Sequence, residues 1–355
     1  MEYFATTSAA SRRAADCVIV GVYDRNKLGA AAADIDNVSG GLIRKLLKSG
    51  DLSSKPGQCK VLTDVAGVRS ARVAVVGLGK YSDFDVTRFR RGLSAAFQAI
   101  SQTDTRQVLN GLSLENVNGA SAYYLGRFTA EAAGEALYRF TATKSGKKPK
   151  VMPLRKVGLA VANRSDAAKA RLGAEHGQGI AAGVSLAREL GNLPANVCTP
   201  SHLARTAQKI ARETRNVTTK VLGEAEMKRL GMHSLLSVTA GTDEPAKLIV
   251  MQYKGKAGAK PIVLVGKGVT FDSGGISLKP GLSMDEMKFD MCGAAGVIGT
   301  LLSAARLKLP LNVTVVVPAV ENLPSGIATK PGDIVKSMSG QTIEILNTDA
   351  EGRLI

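Results

Sequence analysis

Three short segments put charge where a packed α/β protein ordinarily keeps apolar or neutral side chains. "VGKGVTFDSGGISLKP" holds Lys267, Asp272 and Lys279. "MDEMKFDMCGAAGV" holds Asp290 ahead of a run of small residues, and the closing "LNTDAEGRLI" holds Asp349, Glu351 and Arg353. In an extended segment residues i and i+2 face the same side, roughly 6–7 Å apart at the backbone, so Asp349 and Glu351 can reach toward one point. Gly274, Gly275 and Gly352 give the chain room to turn beside a ligand. If Asp272, Asp290, Asp349 and Glu351 converge, they repel one another. A like-charged pair about 4 Å apart costs roughly 4 kcal/mol at an effective dielectric of about 20. Lys267, Lys279 and Arg353 offset three of the four charges and leave −1, which two divalent cations would turn into +3. That surplus could receive a hydroxide and a developing oxyanion. Charge and spacing leave open both a two-metal site and a lysine–carboxylate network, and the composition fits the first better.

Other chemistries fit less well. A phosphate-binding P-loop needs a glycine well upstream of its Gly-Lys pair and a Ser or Thr after it, whereas Gly268 follows Lys267. "FDSGG" is not a G-x-S-x-G nucleophile elbow, and no histidine lies nearby. The three histidines, His176, His202 and His233, lack H-E-x-x-H spacing. Cys17, Cys59, Cys198 and Cys292 form no C-x-x-C pair, which argues against a thiolate zinc site and a disulfide framework and predicts buried free thiols. Metal chemistry here must therefore rely mainly on carboxylates. Asp285 and Glu286 read as helix-capping or solvated groups, and Met287 as core or as the wall of an apolar pocket.

The elements that must position these residues alternate between strand and helix. "DCVIVGVY", "ARVAVVGLG" and "KVGLAVA" have strand character, and "SGGLIRKLLKSG", "VTRFRRGLSAAFQAIS" and "AEAAGEALYRF" helical spacing. An alanine-rich stretch then reads as one long helix over 164–190, ended by Gly191, Pro194 and Pro200. Beyond it "VTTKVLG", "AKLIVMQYK", "KPIVLVGKG", "NVTVVVPAV" and "QTIEIL" predict strands, with helices at "SHLARTAQKIARE", "EAEMKRLGM" and "CGAAGVIGTLLSAARLK". The pattern predicts an α/β protein of two domains, 1–163 and 191–355, each a mostly parallel or mixed sheet flanked by helices and joined by the long helix. Two of the charged segments follow strand signals, "PIVLV" and "TIEIL". Ligands in open α/β sheets bind at the carboxyl ends of strands, so both loops should face one crevice.

A hydrophobic fraction of 45% suits a soluble globular chain, and the longest apolar runs are strand-sized, too short to cross a membrane. The amino-terminal segment "MEYFATTSAASRRAADCVIVGVY" lacks the basic-then-apolar order of a secretory signal and reads as strand, turn, strand, so a cytoplasmic location is expected. The net charge of +17 is spread, with +9 over residues 1–150 and +8 over the rest. Its densest run, "KSGKKPK" from Lys144 to Lys150, reads as a solvated loop. Aromatics at 4% with no tryptophan argue against a base-stacking surface. DNA binding on the same scaffold is the alternative that the charge keeps open.

"NTDAEGRL", preceded in order by "GKGVTFDSGGISLKP" and "MDEMKFDMCGAA", resembles the signature set of the leucyl aminopeptidases, the cytosol aminopeptidase family of two-metal exopeptidases. "NLPANVCTP" is similar to the family's entry into the catalytic domain, and the first domain resembles more loosely its variable N-terminal α/β domain. The resemblance implies that Asp272 and Glu351 bridge two divalent ions, Mn²⁺ or Zn²⁺, with Asp349 completing one site and Asp290 and Lys267 the other. It implies that Lys279 polarises the scissile carbonyl and that Arg353 holds a bicarbonate that accepts a proton from the attacking water. Met287 and Asn347 would contact the substrate, a peptide with a free N-terminus. It further implies a homo-hexamer built as a dimer of trimers. Family members continue well past this signature, so the resemblance also implies a chain cut short at Ile355 with an incomplete catalytic core; if the molecule ends there, weak or absent activity and poor stability are expected.

Overall fold

The computed structural model describes residues 1–146 and 152–355. Lys147, Lys148 and Lys150 of the expected basic loop lie outside the described residues. The chain forms two compact units, Met1–Ala181 and Ala182–Ile355, and the division falls inside a helix running Arg164–Asn192.

In the first unit the strands are β1 (Glu2–Thr6), β2 (Cys17–Tyr23), β3 (Lys27–Leu28), β4 (Cys59–Thr63), β5 (Arg72–Gly79), β6 (Gln107–Asn110) and β7 (Lys156–Ala160). They order as β1-β7-β6-β2-β5-β4, with β3 beside β2. From β1 to β5 all neighbours are parallel, and β4 closes the edge antiparallel. A parallel strand covered on both faces reads as an unbroken apolar run. In β2, Cys17, Ile19 and Tyr23 join one hydrophobic cluster, while Val18, Val20 and Val22 join the other.

The covering helices are α1 (Ala30–Val38), α2 (Leu42–Ser49), α3 (Val86–Ile100) and α4 (Ala122–Leu137), with α5 the Arg164–Asn192 helix. Asp85 caps α3 by accepting from the Arg88 amide, and Phe89, Leu93, Ala96, Phe97 and Ile100 form its buried stripe. Glycines inside α5 have a packing reason. A Cβ on Gly173 would overlap the Tyr123 carbonyl of α4, and one on Gly126 the Ala170 carbonyl of α5.

The second unit holds α6 (Pro200–Glu213), α7 (Glu224–Arg229), α8 (His233–Val238) and α9 (Cys292–Arg306) around β8 (Val217–Leu222), β9 (Lys247–Lys254), β10 (Pro261–Val265), β11 (Gly268–Asp272) and β12 (Asn312–Asn322). β12 is the spine of a mixed five-stranded sheet. On one side it pairs antiparallel with β9, which carries β8. On the other it pairs parallel with β10 along Asn312–Val316 and with β11 along Ala319–Asn322. β10 and β11 are thus one strand path broken at Gly266 and Lys267.

Two expectations need correction. "QTIEIL" contributes no strand to this sheet: β13 (Ile334–Lys336) and β14 (Thr342–Glu344) make a separate exposed hairpin. Its polar alternation and the turn at Gly340, with φ of 91°, suit a two-sided ribbon better than a buried strand. The cysteines are all free, but only Cys17 and Cys198 are buried; Cys292, at the start of α9, is exposed.

Candidate active site

The break between β10 and β11 places Lys267 at the rim of the sheet. Its carbonyl accepts from the Ala294 amide at 2.8 Å, so the first turn of α9 packs directly on this backbone. Small residues permit the approach: a Cβ on Gly293 would stand 3.0 Å from the Lys267 amide nitrogen. Asp290 follows a 3₁₀ helix, Met284–Phe289, and precedes α9.

Asp272 ends β11 and leads into a left-handed turn at Gly274 and Gly275, with φ of 87° and 65°. A Cβ on Gly275 would lie 2.7 Å from Asn322 Oδ1, so this turn requires glycine on both steric and conformational grounds. Asp349 and Glu351 sit on a second 3₁₀ helix, Thr348–Arg353, whose cap is Asn347: its Oδ1 accepts from the Asp349 amide at 2.8 Å.

Lysine ammonium groups link the acids. Lys267 Nζ is 2.8 Å from Asp290 Oδ1 and 2.6 Å from Glu351 Oε1. Lys279 Nζ is 2.9 Å from Asp272 Oδ2 and also pairs with Asp349. Burial alone would pull both lysines down. The hydrogen bonds and charges of their carboxylate partners outweigh it and raise both pKa values above the ordinary lysine range.

Asp272, Asp290 and Glu351 each present an oxygen within 4.8 Å of the others, and Asp272 and Glu351 are both 2% exposed. Glu351 Oε2 is buried with no hydrogen-bond partner. Buried carboxylate oxygens without donors are costly, and an oxygen-rich trio of this kind suits a divalent cation. The residues present fit such an ion.

The motif geometry differs from the extended one expected. The segment is kinked at Ala350, whose φ of −109° and ψ of 32° are not helical, and Asp349 and Glu351 point different ways: Asp349 toward Lys279, Glu351 toward Lys267. Asp349 lies outside the close trio and joins it through Lys279. Arg353 is exposed and makes no ion pair among the described residues. The cluster therefore sets four carboxylates against two lysines, not three cations. Met287 is half-buried on the Met284–Phe289 helix, Asp285 and Glu286 are exposed beside it, and Asn347 is exposed.

Comparison with known proteins follows the same residues. A profile of the cytosol aminopeptidase family's catalytic domain matches residues 185–355, and its N-terminal domain matches residues 19–147. A probable cytosol aminopeptidase of Dechloromonas aromatica is 48% identical over 356 residues, covering 100% of this chain and 71% of the relative. One from Chromobacterium violaceum is also 48% identical, with 100% and 68% covered. The chain belongs to the cytosol aminopeptidase family.

Among solved structures, a tomato leucine aminopeptidase mutant matches with TM-score 0.83 at 29% identity, over 100% of this chain and 69% of that one. The bottromycin maturation enzyme BotP in complex with Mn matches with TM-score 0.79 at 32% identity, over 96% and 67%. Membership in this family makes the protein an aminopeptidase, a hydrolase that acts on peptides. Among the described residues no helix is long and apolar enough to cross a membrane.

Two residues of this cytosol aminopeptidase site escaped sequence reasoning. Asn322 ends β12 and donates to Asp272 Oδ1 at 2.8 Å. Thr348, 6% exposed, donates to the Gly274 carbonyl at 2.6 Å and accepts from the Ser277 amide at 2.8 Å. Their signal was available: each is a polar residue at the end of an apolar run ("VVVPAVEN") or inside a charged motif ("NTDAEGR").

Proposed function

We propose that this aminopeptidase is a leucyl aminopeptidase that works with two divalent ions, Mn²⁺ or Zn²⁺. The supporting observation is the close trio of buried Asp272 and Glu351 with half-buried Asp290, in which Glu351 Oε2 lacks any donor. The related BotP, 32% identical, was solved in complex with Mn. Asp272, Asp290 and Glu351 would hold the ions, with Asp349 and, once the neighbouring cations displace its proton, Lys267 completing the set. Ions bound there supply Lewis-acid polarisation of the scissile carbonyl and a water acidic enough to attack near neutral pH.

Lys279, kept cationic by Asp272 and Asp349, stabilises the negative charge that develops on the carbonyl oxygen. Arg353, exposed and without an ion pair among the described residues, would hold a bicarbonate, which would supply a base for the water's proton. Met287 and Asn347 contact the substrate at the first side chain of the peptide. The working form is a cytoplasmic homo-hexamer, a dimer of trimers, which sedimentation analysis checks. The DNA-binding alternative rests on the net charge of +17 alone and gains nothing from the site geometry.

The test is hydrolysis of a leucine anilide by metal-stripped protein, with Mn²⁺ or Zn²⁺ added back and ion stoichiometry read by calorimetry. Activity should return in the parent chain with two ions bound, and should be largely absent in Lys279→Ala and Glu351→Ala. Parent-like rates in both variants would remove the mechanism.

A further inference from the structure

Away from the carboxylate cluster, the first unit carries a cleft of ≈560 Å³ whose walls include Ser8, Arg12, Arg13, Arg69 and Gln107. Three of these are arginines, and among the described residues no carboxylate lines the cleft. Among the described residues none of the three arginines makes an ion pair. The nearby acids are engaged by backbone amides. Asp16 Oδ2 accepts from the Arg106 and Gln107 amides at 2.7 and 3.0 Å, and Asp34 Oδ2 from the Ser11 amide at 2.7 Å.

The loop that carries Arg12 and Arg13 is anchored. Ala10 and Ser11 are 1% and 2% exposed, and the Arg69 amide donates to the Ser11 carbonyl at 2.9 Å. Ser70 Oγ donates to the Arg13 carbonyl at 3.0 Å, and the Arg13 guanidinium lies 4.9 Å from the Phe4 ring centre. Arg13 Nε is buried with no hydrogen-bond partner. A buried donor left unpaired is costly, and the same arginine lines the cleft.

We propose that this cleft binds a compact polyphosphate anion, a di- or triphosphate chain, free or carried by a nucleotide. Guanidinium forks match phosphate oxygens in paired, charge-assisted hydrogen bonds and stay charged at any physiological pH. Three of them around one space create a local potential that a multiply charged anion relieves better than a single carboxylate does. Ser8 and Gln107 add neutral polar groups to the rim. The volume lies within the range of small-molecule sites, and the concave shape suits a short chain of phosphates better than a rigid duplex.

The test is calorimetric titration of the full chain with tripolyphosphate, ATP and citrate at low salt. Tripolyphosphate and ATP should both bind with one-to-one stoichiometry. Equal affinity assigns recognition to the phosphate chain, and tighter ATP binding assigns it to a nucleotide. The double variant Arg12→Gln/Arg69→Gln should weaken both by roughly tenfold or more, while Lys48→Gln, exposed on α2, should not. Arg12 and Arg69 are both exposed, so the double variant keeps the fold, which circular dichroism checks. The carboxylate cluster is untouched in that variant, so chelation of metal ions is common to both proteins, and leucine anilide hydrolysis should not change. Parent-like affinity in the double variant, or citrate binding as tight as tripolyphosphate, overturns the proposal. So does arginine-dependent binding of duplex DNA with no binding of tripolyphosphate.

Discussion

Asn322 Nδ2 donates to Asp272 Oδ1 at 2.8 Å and to the Thr348 carbonyl at 2.9 Å. One buried amide thus ties the strand that ends in Asp272 to the helix that carries Asp349 and Glu351. The pairing register makes this unavoidable, because β11 and β12 run parallel with Asp272 opposite Asn322. Asn322→Ala leaves Asp272 Oδ1 and the Thr348 carbonyl without that donor. Partners that orient a metal-binding carboxylate typically contribute about 10–100-fold in affinity. Calorimetry of metal-stripped Asn322→Ala with Mn²⁺ should show a loss in that range, with hydrolysis falling in parallel. Affinity within twofold of the parent would refute the positioning role.

Gly274 is the hinge of the same assembly. Its φ of 87° is unfavourable for any residue with a Cβ, and that atom would overlap the Ser277 carbonyl and stand 3.0 Å from Asp349 Oδ1. Gly274→Ala should therefore destabilise the fold by about 1–3 kcal/mol and displace Asp349 from Lys279. Urea unfolding measures the first effect and leucine anilide turnover the second. A variant with unaltered midpoint and turnover would show that the turn relaxes freely.

The sequence carried the grouping of the charged residues more clearly than their geometry. Strand and helix signals located β2, β5, β7, β8, β9, β12, α3, α5, α6 and α9, because each is a long apolar or amphipathic run. The break at Gly266 and Lys267 was not legible: "KPIVLVGKGVTFD" is apolar on both sides, and only pairing with β12 splits it into two strands. The 3₁₀ helix at Thr348–Arg353 was equally hidden, since two acids one residue apart fit an extended segment as well as a helical turn. Asn347 caps the first turn, its Oδ1 accepting from the Asp349 amide at 2.8 Å, and a kink at Ala350 then separates the two acids. Short 3₁₀ segments carry little periodicity, so their side-chain directions come from caps and tertiary contacts rather than from pattern.

In the first unit a buried carboxylate gives a pH signature independent of the metal site. Glu115 is 8% exposed, accepts from Tyr23 Oη at 2.9 Å and from the Ala30 amide at 2.7 Å, and lies near Lys27. Burial pushes its pKa above the ordinary carboxylate value of 4.5, even though both hydrogen bonds and Lys27 act the other way. A group whose pKa is higher folded than unfolded binds its proton more tightly in the folded state. Its contribution is complete below the unfolded value and is lost as pH rises through the folded one. Glu115→Gln keeps an acceptor for Ala30 and removes the titration. The stability difference, parent minus variant, should fall as pH is raised from below 4.5 toward neutrality. Urea midpoints for both proteins across that window measure it, and a pH-independent difference would show that Glu115 titrates normally.

At the edge of the second unit's sheet, β10 presents Ile262, Val263 and Val265 at 53%, 56% and 70% exposure. Among the described residues only one side of β10 is paired, with β12. A bare edge strand carrying three exposed β-branched residues is a template for pairing with another chain. A charged residue at the centre of the strand opposes such pairing without touching the β10–β12 ladder, because the backbone hydrogen bonds do not involve the side chain. Light scattering of residues 1–355 over a range of concentrations should therefore show the parent forming larger particles as concentration rises, and Val263→Lys forming fewer at every concentration. If the two proteins scatter alike, the exposed strand is inert and association runs through another surface.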